Sequence, residues 1–163
     1  MPEISYQLYS SRNFPPLSDT LRRLAALGYK TVEGFGGIYP DMDAVNTLRD
    51  DLNANGLALR SSHIGLDLIE SDPAHVIAIA NLLKIREIYV PFLMPDQRPD
   101  DADGWRAFGA RLVTAGKPLR DAGLTFGWHN HDFEFKALST GELPMDLILD
   151  GNDLSFEFDV AWA

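Results

Sequence analysis

The sequence predicts an α/β fold on the (β/α)8 barrel plan, of which this chain carries about six βα units. Three observations predict it. Short β-prone runs recur about every 30 residues, the length of one βα unit. Amphipathic stretches with helix-start and helix-stop residues lie between them. Polar residues collect at the C-terminal ends of the runs: Gln7, Glu33, His63, His129 with His131, and Asp159. In a closed barrel all such ends face one mouth.

The strands are placed at residues 4–9, Thr31–Phe35, Ala58–His63, 87–93, 125–131 and 154–160. Side chains alternate along a strand, so His129 and His131 are expected on one face, as are Ser155, Glu157 and Asp159. The other face of the last strand, Leu154, Phe156, Phe158 and Val160, suits packing against helices.

Between the strands, Ser18 is read as the cap of a helix with core face Leu21, Leu24, Ala25 and Leu27, ended by Gly28. Asp41 or Asp43 opens the next, whose stripe is Met42, Val45, Leu48 and Leu52, closed by Asn55-Gly56. Asp72-Pro73 pairs a cap with proline at the first helical position and leads into Val76, Ile77, Ala80 and Leu83. A fourth helix, 103–122, carries Trp105, Phe108, Leu112 and Leu119; Pro118 inside it predicts a kink or break near Gly116. The fifth, 144–149, is short and stops at Asp150-Gly151.

A doubly wound nucleotide-binding sheet is the competing plan. It calls for a glycine-rich turn after the first strand, where this chain has SSRNFPPLSD. Gly34, Gly36 and Gly37 follow the second strand with the wrong spacing. The barrel therefore fits better, but its arithmetic is short: 163 residues against the roughly 250 of eight units. The sequence stops at Trp162-Ala163, directly after a strand, and would leave two open sheet edges. The expectation is a single domain over residues 1–163, incomplete at its C-terminus, in a longer protein or with another chain filling the gap.

Composition narrows the function classes. With 14 basic and 24 acidic residues the net charge is −10, which argues against nucleic-acid or membrane-surface partners. The chain has no cysteine, so disulfides, thiolate metal sites and thiol nucleophiles are excluded. No apolar run approaches the ~20 residues that cross a bilayer, and MPEISYQLYS does not read as a secretory signal. A soluble, cytoplasmic protein is expected.

The chemistry concentrates in GWHNHDFEF (127–135) and SFEFDVAW (155–162). Two imidazoles at i and i+2 beside the carboxylate of Asp159 form a trio suited to metal binding or proton transfer. His63 ends its strand at the barrel mouth, whereas His75 reads as a solvated helix residue. Glu33 and Glu157 lie inside strand-like runs, where a buried carboxylate needs a partner. The bland alternative for them is an internal ion pair, with Arg60 or Lys136 for example. Glu134, in the loop after strand five, could reach the mouth, and Trp162 could wall the pocket and stack on a sugar face. Imidazoles with carboxylates suit a divalent ion, Zn²⁺, Mn²⁺, Co²⁺ or Mg²⁺. Beside a base, such an ion favours proton abstraction α to a carbonyl. No nucleophile elbow accompanies Ser61, Ser62 and His63.

The motifs QLYS, LAALGYKTVEGFGG, SSHIGLD, YVPFL, GWHNHDFEF and FEFDVAWA resemble the sugar phosphate isomerase/epimerase family of xylose-isomerase-like TIM barrels, along the whole chain. The resemblance implies a divalent metal at the barrel mouth, held by Glu, Asp, His and Glu from strands five to eight. Asp159 matches the strand-six aspartate. The strand-five glutamate position falls here at His129 or His131, a departure that bears on which metal is held and which group is the base. His63 matches a strand-three histidine near the substrate, and Glu33 a strand-two glutamate at the pocket.

The resulting expectation is a metal-dependent isomerase or epimerase of a sugar or sugar-like polyol, working by proton transfer through an enediolate. His129 and Asp159 would hold the metal; His131, Glu157 and His63 would be catalytic; Glu33, Glu134, Trp162 and Gln7 would line the substrate. Alternatives are a lyase or dehydratase acting on a keto-inositol or 3-keto glycoside, and a non-catalytic sugar-binding subunit. The expected partner is a small sugar or polyol, with neither nucleic acid nor membrane; a homo-oligomer is compatible with the sequence.

Overall fold

A computed structural model describes residues 4–163 of the chain. Six parallel strands alternate with helices and follow one another in chain order, β1-β2-β3-β4-β5-β6, as in a partial (β/α)8 barrel. The residues pack into two compact units: the chain up to Ile64 with Ala74–Ile88, and Gly65–Pro73 with Tyr89–Ala163.

The first unit contains β1 (Ser5–Gln7), α1 (Leu17–Ala26), β2 (Thr31–Phe35), α2 (Met42–Asn55) and β3 (Ala58–His63). Most of α4 (Pro73–Leu83) joins them. β1, β2 and β3 pair in parallel, with a register shift between Val32 and Glu33 that sets Glu33 opposite Ser61 and Phe35 opposite His63. The helical stripes bury as expected at Leu21, Leu24, Val45, Leu48, Leu52, Val76, Ala80 and Leu83, whereas Met42 and Ile77 are only half-buried and Ile79, outside the expected stripe, is fully buried. Asp41 caps α2 by accepting the Ala44 N–H at 2.8 Å, and Gly56 closes that helix at φ 63°, the left-handed region that glycine tolerates.

Two expectations here fail. Ser18 lies inside α1, whose N-cap is Pro16 with no side-chain cap, so the fixed φ of proline rather than a hydroxyl sets the entry. Leu27 falls one residue past α1 and is exposed, because the helical periodicity stops before it.

The second unit holds α3 (Leu66–Ser71), a short helix with no counterpart in the sequence reading, and α5 (Ala102–Asp121), β5 (Thr125–His129), α6 (Pro144–Leu149) and β6 (Ser155–Glu157). β4 (Glu87–Val90) gives its first two residues to the first unit and its last two to the second. α5 buries Trp105, Phe108, Leu112 and Leu119 and is one continuous helix through Pro118. The break expected near Gly116 is absent; within this stretch the Arg120 Nη2 donates to the Val113 carbonyl at 2.6 Å. Glu70 and Arg111 join α3 to α5 through two hydrogen bonds of 2.7 Å.

Strands one, four, five and six are shorter than predicted. β6 stops at Glu157, and Phe156, Phe158 and Val160 are exposed rather than packed on helices. β6 is an edge strand, and the residues that follow it form turns instead of a covering helix. No helix among the described residues is long and apolar enough to cross a membrane.

Candidate functional site

Each unit carries one cluster of titratable side chains at or near the C-terminal ends of its strands. In the first unit the cluster is centred on Glu33, in the middle of β2 and 6% exposed. Its carboxylate accepts from the Gln7 Nε2 at 3.1 Å and from the Ser61 Oγ at 2.7 Å. His63, the last residue of β3, places Nε2 3.6 Å from Glu33 Oε2. The register shift makes the cluster, because it carries Ser61 and His63 into step with β2.

Beneath it, Tyr39 and Ser62 share a hydrogen bond of 2.9 Å in the interior. Burial pushes the Tyr39 hydroxyl well above the usual phenol range; the bond to Ser62 pulls the other way. Gly34 makes this possible, since a Cβ there would lie 1.9 Å from the Tyr39 oxygen.

In the second unit, β5 and β6 pair in parallel with His129 directly opposite Glu157. A Cβ at Gly127 would sit 1.7 Å from the Ser155 carbonyl oxygen, so only glycine permits this approach. As a result His129 Nδ1 lies 3.2 Å from Glu157 Oε2; the His129 side chain is 8% exposed and that of Glu157 30%. Beyond the strand ends, the buried Asn130 side chain continues the ladder. Its Oδ1 accepts from the Asp159 N–H at 2.8 Å, and its Nδ2 donates to the Asp159 carbonyl at 3.1 Å.

The Asp159 carboxylate accepts the Ala161 N–H at 2.8 Å, within its own turn. Glu157 is thus the carboxylate facing His129 in this structure, while Asp159 is held alongside by Asn130.

Glu134 is fully buried, accepting from the Trp128 indole N–H at 2.8 Å and the His131 backbone N–H at 2.9 Å. Burial pushes the pKa of its carboxyl above the ordinary glutamate range, and these bonds partly restrain the rise. Its role here is internal: it fixes the turn that carries His131. The His131 ring meets His129 edge-on at 5.1 Å and Phe92 edge-on at 5.0 Å, is tilted against Trp162 at 5.4 Å, and lies nearly parallel to Phe133 at 6.1 Å. His129 and His131 are therefore neighbours although β5 ends at the first of them. Trp162 is half exposed beside this ring.

Sequence reasoning missed Asn130, Tyr39 and the gathering role of the β2–β3 register shift. For Asn130 a signal existed: an amide between two strand-end histidines, at a point where backbone pairing must stop.

No protein-family model matches the chain, and no curated protein matches it. Solved structures do. A sugar phosphate isomerase/epimerase from Parabacteroides distasonis superposes with a TM-score of 0.84 at 23% identity, over 99% of this chain and 66% of that one. A second from the same organism gives 0.78 at 24%, over 99% and 70%. A xylose isomerase-like TIM barrel protein from Mycobacterium smegmatis, in complex with magnesium, gives 0.67 at 14%, over 97% and 64%. Other chains sharing the fold are described as a D-psicose 3-epimerase, a probable 3-DHS dehydratase and a family 2 AP endonuclease. This chain thus spans about two thirds of the length of the structures it matches. Its fold is that of the xylose-isomerase-like TIM barrels, sugar phosphate isomerase/epimerases among them.

Proposed function

We propose that this chain belongs to a metal-dependent isomerase or epimerase of a sugar or sugar-like polyol. One observation carries the reading: an imidazole nitrogen and a carboxylate oxygen stand 3.2 Å apart at the ends of two adjacent parallel strands. Two bonds of about 2.1 Å to one divalent ion leave their donor atoms roughly 3.0–3.4 Å apart, so the pair fits a shared cation. The donor set, one nitrogen and one oxygen, suits Mn²⁺, Co²⁺, Zn²⁺ or Mg²⁺. His129 and Glu157 would hold the ion, with Asp159 beside them in the turn clamped by Asn130. When bound, such an ion supplies a Lewis acid for a substrate carbonyl.

The chain's own residues supply the rest. His131, fixed through its backbone by Glu134 and framed by aromatic rings, is the proton carrier at the carbon α to the carbonyl. An imidazole titrates near neutrality and can both take and return that proton. In the first unit Glu33 orients the His63 imidazole, 3.6 Å away. Gln7 and Ser61 hold Glu33 in place through neutral donors. Trp162 offers an exposed aromatic face to the apolar side of a sugar ring.

The fold supports this reading through structures described as sugar isomerases and epimerases. The full-length protein, freed of metal with chelator, should be inactive on a panel of ketoses that includes D-fructose. Mn²⁺ should restore exchange of the α-proton with deuterium, followed by NMR. Full turnover in chelator by metal-free protein would overturn the assignment. An eliminated water in the products would move the reaction to the lyase class on the same enediolate.

A further inference from the structure

Within the second unit, Arg98 is held in an unusual way. Its Nε donates to the Leu93 carbonyl at 3.0 Å. The centre of its guanidinium lies 3.6 Å above the Phe133 ring and 5.1 Å from the Phe92 ring. Both rings also touch the His131 ring, Phe92 edge-on at 5.0 Å and Phe133 nearly parallel at 6.1 Å. Stacking of this kind immobilises a guanidinium without using its N–H donors, which lie in the plane of the fork.

The neighbouring acids do not take those donors. Glu134 gives one oxygen to Trp128 and the other to His131, and Asp132 is bridged to Lys136 at 2.6 Å. Among the described residues, no carboxylate forms an ion pair with Arg98, although the chain has 24 acidic residues against 14 basic ones. Of the five N–H donors an arginine carries, only the one on Nε has a partner. A preorganised fork left open on two rings that also contact an imidazole is what recognition of a planar or tetrahedral anion requires.

We propose that Arg98 binds an anionic group, carboxylate or phosphate, on the sugar or polyol substrate of the neighbouring His131 site. This deepens the function proposed above and rests on it for the identity of the substrate's body. The Nη1 and Nη2 N–H groups would form two parallel hydrogen bonds to the anion, with the exposed Phe92 ring as its apolar edge. A neutral sugar would leave the fork to water, so the site would prefer the charged member of a matched pair.

Calorimetry on the full-length protein tests this with two pairs: D-fructose 6-phosphate against D-fructose, and D-gluconate against D-glucitol. The expected result is at least tenfold tighter binding of the charged member in one pair, with the pair that shows it identifying phosphate or carboxylate. Arg98→Gln should erase the preference and leave the neutral member unchanged, whereas Arg98→Lys should retain part of it. Circular dichroism melts establish that the variants fold. Should the glutamine variant fail to fold, free phosphate or acetate must compete with the charged member in the wild type. Equal binding within both pairs, including none at all, overturns the proposal, as does a preference that survives Arg98→Gln or resists competition. His129→Ala separates the two readings: it should remove Mn²⁺ binding while leaving the charge preference in place.

Discussion

The Glu33 cluster and the His129 cluster use the same residue types and differ in what surrounds the carboxylate. Glu33 is enclosed, with an amide donor from β1 and a hydroxyl from β3, and only then the imidazole of His63 at 3.6 Å. Glu157 faces His129 directly at 3.2 Å, and almost a third of its side chain is open to solvent. A carboxylate wrapped in neutral donors is held in place and orients its imidazole. A carboxylate that meets an imidazole at a partly open strand end can accept a cation. Neighbours, not residue identity, divide the labour. The supports differ as well: strand side chains build the first cluster, whereas Asn130 and Glu134 in the turn after β5 brace the second.

The sharpest way to break this contrast is through metal affinity. His129→Ala or Glu157→Ala should lower Mn²⁺ affinity at least 100-fold and abolish turnover, because each removes one of the proposed ligands. Glu33→Gln should leave Mn²⁺ affinity within about threefold. Titration followed by electron paramagnetic resonance reads both, and an equal loss in all three variants would erase the distinction.

The next effect is structural. Gly127→Ala places a methyl group 1.7 Å from the Ser155 carbonyl oxygen and forces β6 away from β5. A cost of about 3 kcal/mol or more is expected from such overpacking against backbone, measured by denaturant unfolding.

Glu134→Ala should cost roughly 2 kcal/mol or more, because two buried donors, the Trp128 indole and the His131 amide, lose their acceptor. The wild-type carboxyl adds a pH signature. Burial raises its folded value above the unfolded 4.5, so the native state binds the proton more tightly. Its contribution to stability is therefore complete below about 4.5 and is lost as pH rises through the folded value. Comparing wild type with Glu134→Gln across acid to neutral pH should show this slope only in the wild type.

The smallest effect sharpens the first cluster. Tyr39→Phe removes the partner of Ser62 and should cost about 1 kcal/mol, with no change in Mn²⁺ affinity.

Much of this molecule is legible in its sequence. Asp41, Gly56 and Pro73 mark helix ends because each local residue satisfies the terminus by itself. β2 and β3 come out to the residue, at Thr31–Phe35 and Ala58–His63. The ends of β5 and β6 do not. The alternating pattern continues to His131 and Val160, but pairing stops where Asn130 substitutes a side chain for the backbone. Pro118 misleads in the other direction: its local rule predicts a break, and α5 runs through it as one helix.

The sequence alone determined the chain of βα units, the helical core stripes, and the presence of imidazoles and carboxylates near strand ends, because these depend on periodicity and on neighbours within a few residues. Tertiary structure decided which carboxylate meets which imidazole. Glu157 rather than Asp159 faces His129, His63 pairs with Glu33, and Glu134 turns inward. Those pairings depend on strand register, on the absent side chains of Gly34 and Gly127, and on one register shift, none of which leaves a periodic trace in the chain.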